Sequence, residues 1–112
     1  MAKKLPKTFA INGADIKPLA TGRGSCLGSD RITVDGEPVG FMYREDRDNA
    51  VDSGWRFLAG DESDAYVSDA GNFEVYDVNT IANYSPDIIP LLDAPVGSAY
   101  SRDPSSGKLV PD

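Results

Sequence analysis

The residues best able to do chemistry gather in one stretch, DSGWRFLAGDESD, from Asp52 to Asp64. It carries the chain's single Trp, Arg56 beside it, and acids at Asp52, Asp61, Glu62 and Asp64. Carboxylates set close together can hold a cation, or share the acid and base roles of glycoside hydrolysis. Trp and Arg are the side chains that most often anchor a protein interface. An acidic run, EDRDNAVDS, lies just before this stretch. Read from Asp46, it begins like a calcium loop, with Asp48 third. Its fifth position is Ala50, its sixth is Val51 where the turn needs Gly, and its twelfth is Phe57. The match fails, and GDESD reads as solvated acids at a strand end. No metal or other cofactor is expected.

Among the 112 residues there is no His. The commonest general base, the His-based nucleophilic triads and the commonest zinc ligand are therefore missing. Cys26, the only Cys, has no conventional activating base and reads as a small buried hydrophobe. GRGSCLG has the glycines of a phosphate loop but no following Gly-Lys-Ser/Thr, so it reads as a turn into a strand. Catalysis is not expected. The formal net charge of −7 argues against a nucleic-acid grip and would steer the protein toward a basic partner. A lone Cys fits a reducing compartment, and neither a signal h-region nor a membrane span is evident, so the expected location is the cytoplasm.

These residues need a scaffold, and turn chemistry sketches one. Residues 1–18, with Lys3, Lys4, Lys7 and Lys17 against Asp15, form a basic segment expected as a solvated tail. Residues 19–112 form a single domain. In RITVDGEPVGFMYRE, Asp35-Gly36 between two apolar runs predicts a hairpin, with Val39, Phe41 and Tyr43 on one face of the second strand. In GWRFLAG, Trp55, Phe57 and Ala59 share a face, with Arg56 and Leu58 opposite. FEVYDV is a further strand, and GSAYSRD and GKLV pair near the end. Helix signals are confined to VNTIANYSPDIIPLLDAP. There Asn79 or Thr80 caps a first turn, and Ser85-Pro86-Asp87 starts a second. No parallel βαβ pattern is visible. The expected fold class is α+β, a small, mostly antiparallel sheet with one or two short helical turns.

This frame divides the opening stretch. Trp55 and Phe57 read as core aromatics, packed with Tyr43 across the strands. Arg56, on the opposite face, either pairs with a carboxylate there or anchors a partner.

Three blocks, DRITVDGEPVGFMYRE, DSGWRFLAGDE and YDVNTIANYSPDIIPLLDAPVGSAY, give the chain a family resemblance from about Cys26 to Asp103. In order and spacing it resembles immunity protein family 33 of bacterial polymorphic toxin systems, formerly domain of unknown function 2185. The resemblance implies a protein that neutralises a toxin delivered by a neighbouring cell, by binding it inside the producing or kin cell. It brings no catalytic residues with it.

An acidic, His-free domain suits the stoichiometric capture of a basic toxin such as a nuclease, with opposite charge speeding the encounter. The expected contact surface is the loop pair Glu45–Ser53 and Gly60–Asp69, with Glu45, Asp46, Asp48, Asp52, Arg56, Asp61, Glu62 and Asp64 as the contact residues. The alternative from another class is a stand-alone cytosolic domain that binds a small anionic ligand through Arg44 or Arg56.

Overall fold

The computed structural model describes residues 7–112. Lys3 and Lys4 of the basic segment lie outside the described residues. From Lys7 onward that segment is laced to the domain. The Ala10 N–H donates to the Thr33 carbonyl, and the Ile11 N–H donates to the Tyr84 hydroxyl. The buried Asn79 side chain accepts from the N–H groups of Leu19 and Ala20 and donates to the Lys17 carbonyl.

Six strands form one sheet: β1 (Ser25–Ser29), β2 (Phe41–Arg44), β3 (Asp52–Leu58), β4 (Phe73–Asp77), β5 (Ala99–Arg102) and β6 (Leu109–Pro111). Their order is β4-β1-β3-β2-β5-β6. All neighbours are antiparallel except β1 and β3, a parallel pair that the sequence does not announce. Among the described residues three short α-helices accompany them, α1 (Asp30–Thr33), α2 (Asp64–Ser68) and α3 (Val78–Tyr84), with 3₁₀ segments at Gly13–Asp15, Ala70–Asn72 and Pro86–Leu91. The class is α+β, as the sequence implies.

The Asp35-Gly36 hairpin is not formed. Ser29 ends β1 and caps α1, its hydroxyl accepting from the Arg31 N–H. Ile32 and Thr33 turn inward, and Gly36 closes the helix with φ of +82°, its N–H donating to the Ile32 carbonyl. A left-handed Gly after a helix satisfies the same sequence cue as one in a hairpin. The helix prevails because Ile32 and Thr33 become fully buried.

Strand β3 sorts the core. Trp55 and Phe57 point to one face, where Met42 lies opposite Phe57 and Cys26 and Val39 join them, all buried. Ile32, Val78, Ile81, Ala82, Ile88 and Leu92 from the helical segments close over this face. The Trp55 indole N–H donates to the Leu92 carbonyl at 3.1 Å, so its one polar group is satisfied inside. Tyr43 does not join these aromatics. Its register partner is Arg56, on the opposite face, and Met42 takes the core place. Val39 lies before β2 begins, so the alternation drawn through it does not hold.

The capping expectations also shift. Asp77, not Asn79 or Thr80, caps α3 by accepting from the Asn79 N–H. This frees the Asn79 side chain to hold the amino-terminal segment. The Ser85 hydroxyl makes no cap bond and instead joins the Val39 N–H to Asp87. Replacing Asn79 by Ala leaves the Leu19 and Ala20 amides without their acceptor. The expected loss, read by urea denaturation, is on the order of 2–3 kcal/mol, with faster hydrogen exchange at those two amides.

Candidate functional site

Among the described residues, α2 is the only helix over the second face of the sheet. Register places Val75, Leu27, Arg56, Tyr43 and Ala99 in a row across the strands, with Leu58, Phe41 and Ser101 in the next. Val75 is 67% exposed, while the other apolar side chains of this face are partly covered. Val67 of α2 leans over one end, and Tyr66 meets Phe73 edge-on with ring centroids 6.2 Å apart. Between them runs a groove of about 180 Å³ floored by Leu27, Tyr43, Arg56, Leu58 and Phe73. A smaller hollow of about 60 Å³ continues it past Leu27 and Arg56 to Val75, Asp48 and Asp52.

Arg56 is the centre of this face, and it is only 3% exposed. Its guanidinium is gripped by Asp52 in bidentate fashion, Nη1 to Oδ1 at 3.0 Å and Nη2 to Oδ2 at 2.9 Å. Nε donates to Glu45 at 2.6 Å, Nη1 also donates to the Trp55 carbonyl at 3.1 Å, and Asp48 stands 3.7 Å from Nη2. Asp52 is itself buried and accepts two further bonds, from the N–H groups of Asp48 and Gly54. Gly54 has φ of +86°, and a side chain there would run into the Glu45 carbonyl. The loop thus wraps closely enough around β3 to deliver Glu45 to Arg56. The Arg56 guanidinium holds the Asp52 carboxyl well below the usual carboxylate range, against the opposing effect of burial.

Of the eight residues read as contacts, four converge: Glu45, Asp48, Asp52 and Arg56. Three carboxylates against one guanidinium leave this end of the groove negative. Asp48 is its most open member, with its side chain 81% exposed. The other four are dispersed. Asp61 pairs with Arg31. Glu62 accepts from the N–H groups of Ala59 and Gly60, and Asp64 opens α2. Asp46 lines a separate hollow. The two acidic loops sit at opposite ends of β3, roughly 20 Å apart by strand geometry, so they do not form one patch. Reading acids alone missed the apolar floor. Its signal was the second parity of each strand, Leu27, Tyr43, Leu58 and Val75, which a one-sided reading of the sheet leaves unassigned.

The separate hollow, about 550 Å³, is lined by Gly22, Arg23, Gly24, Arg44, Asp46 and Arg47 among others. Arg44 donates to the carbonyls of Ser53 and Ala94, and its Cζ lies 5.7 Å from the Trp55 ring centroid. Arg23 is taken by Asp93, whereas Arg44 and Arg47 have no carboxylate partner among the described residues. No three His, Cys, Asp or Glu side chains gather as metal ligands among the described residues, and burial pushes the Cys26 thiol up. Among the described residues, no helix is long and apolar enough to cross a membrane.

The described residues thus form a domain with a half-open sheet and a groove whose floor is apolar and whose end is acidic. Comparison with known families gives its kind: the immunity protein Imm33 domain matches residues 26–111, and the chain belongs to that family. No curated protein and no solved structure matches it.

Asp52→Asn takes the bidentate carboxylate from the buried Arg56 and leaves Glu45 as the one carboxylate within hydrogen-bonding distance. It is expected to cost about 3–5 kcal/mol in denaturant titrations at neutral pH. Asp52 has a folded pKa below its unfolded one, so its contribution is complete above about pH 4 and fades as the pH falls further. The variant's stability should accordingly fall less between pH 5 and pH 3, both values set around the ordinary Asp range of about 4.

Proposed function

We propose that the protein neutralises a cognate toxin by stoichiometric binding, and that the groove over Arg56 is the contact. Family membership supports the class of function. The observation that supports the location is the meeting of a half-covered apolar floor with a carboxylate excess at Glu45, Asp48 and Asp52. An apolar centre with a charged rim is the make-up of an interface that also selects its partner. Arg56 and Asp52 serve as the rigid base, since their donors and acceptors are already used within the chain. Glu45 and Asp48 are the groups that meet the partner. Asp46, Asp61, Glu62 and Asp64 contribute to the negative field that draws a basic toxin, such as a nuclease, toward a protein of net charge −7.

The test starts with capture of the partner from native cells by the tagged protein at low and high salt, identified by mass spectrometry. Titration with the purified toxin follows. The double charge reversal Glu45→Lys, Asp48→Lys is expected to weaken binding by about a hundredfold and to flatten its salt dependence. An affinity indifferent to both would overturn the acidic-groove reading.

The Arg44 guanidinium, which has no carboxylate partner among the described residues, supports a second reading, a small anionic ligand in the hollow beside Gly22 and Gly24. Titration with inorganic phosphate, followed by amide shifts, should then move Gly22, Arg23 and Gly24, and Arg44→Gln should abolish the effect. Unmoved shifts contradict this reading and leave the groove untouched.

A further inference from the structure

The sheet has two edges, and only one is blunted. β6 is three residues long and ends in Pro111, which has no N–H to offer. β4 has no Pro, no bulge and no Lys, and its central residue, Val75, is largely exposed. The pairing of β4 with β1 says which of its backbone groups face outward. The Val78 N–H donates to the Gly24 carbonyl, so Val78, Tyr76 and Glu74 point their backbone groups at β1. By antiparallel alternation, Phe73, Val75 and Asp77 point theirs away.

Two of the six outward groups are already satisfied. The Phe73 N–H donates to the Ala70 carbonyl, and the Asp77 carbonyl accepts the first bond of α3, as an N-cap does. Four remain with no partner among the described residues: the Phe73 carbonyl, both groups of Val75 and the Asp77 N–H. This set is self-complementary. Two copies of β4 laid antiparallel about Val75 exchange two Val75–Val75 bonds and two bonds from the Asp77 N–H to the partner's Phe73 carbonyl. The two groups that would face each other idly are the two already used inside each chain. In the same register Glu74 lies opposite Tyr76 and Asp77 opposite Phe73, so no carboxylates are directly opposed.

We propose that this edge binds a second copy of the chain, joining two six-stranded sheets through β4 across a two-fold axis. The axis is perpendicular to the sheet, so both open grooves face the same side, independently of what fills them. The contact is small, four hydrogen bonds and one valine pair, so the association is concentration-dependent. Each copy carries net charge −7, so salt strengthens the association by screening.

Sedimentation equilibrium of the full chain, up to about millimolar protein and in salt from about 0.05 to 0.5 M, is the direct test. The expected result is a rise from 12.0 kDa toward twice that mass, favoured by salt. Val75→Lys changes an exposed side chain and is expected to weaken the dimer about tenfold without loss of folding. The register has its own test. A hydrogen-bonded antiparallel pair sets Cα atoms about 5.5 Å apart, within disulfide reach, so Val75→Cys should cross-link under oxidation. Val110→Cys, on the far edge, should not. A monomer at all concentrations and salts, a dimer unchanged by Val75→Lys, or equal cross-linking of the two Cys variants overturns the proposal.

Discussion

The buried guanidinium of Arg56 is the constraint on which this domain is arranged. A full positive charge in the middle of a sheet, at 3% exposure, must be neutralised within hydrogen-bonding distance or the strand does not stay there. Asp52, four residues back on the same strand, supplies the bidentate partner. The return of the chain through Gly54 and Glu45 supplies the next carboxylate. The acidic loop is thereby fixed to the end of β3 and not left as a solvated run. The same alternation that sends Arg56 outward sends Trp55 and Phe57 inward, so core and candidate interface are two sides of one seven-residue strand.

This arrangement also explains why a domain of ordinary composition leaves apolar surface uncovered. Its helical segments α1, α3 and the 3₁₀ turn at Pro86–Leu91 are spent on the Trp55 face, where their buried residues lie. The other face receives α2, five residues long with none buried. A sheet with apolar residues on both faces and a full layer on only one presents a patch of the kind that marks a binding site. In the proposed contact the acids at its end disfavour a like-charged partner, which they would repel.

Much of this was legible in the residues. The strands through Trp55, Phe73 and Tyr100, the core role of Trp55, the pairing near the carboxyl terminus and the α+β class all follow from alternation and turn chemistry. Asp35-Gly36 misled because a Gly with positive φ closes a helix as readily as a hairpin, and only the burial of Ile32 and Thr33 decides. Tyr43 misled because an alternation counted from Val39 crosses Gly40, where the chain enters the strand. The parallel pairing of β1 with β3 was hidden because no long helix connects them. For the candidate site, sequence found the charges but not their grouping. Nothing in one dimension tells that Asp48 and Glu45 meet Arg56 while Asp61 goes to Arg31. The groove was overlooked for the same reason, its lining coming from four separate strands and α2.

The proposed contact puts the partner on the face bearing Arg56, not on the helical face. Amide hydrogen exchange of the protein alone and in complex with the captured toxin tests it most directly. New protection is expected at the β2, β3 and α2 residues around the groove and in the loop from Glu45 to Asp48. Protection confined to α1, α3 and the 3₁₀ turn, with the groove still exchanging as in the free protein, would contradict it.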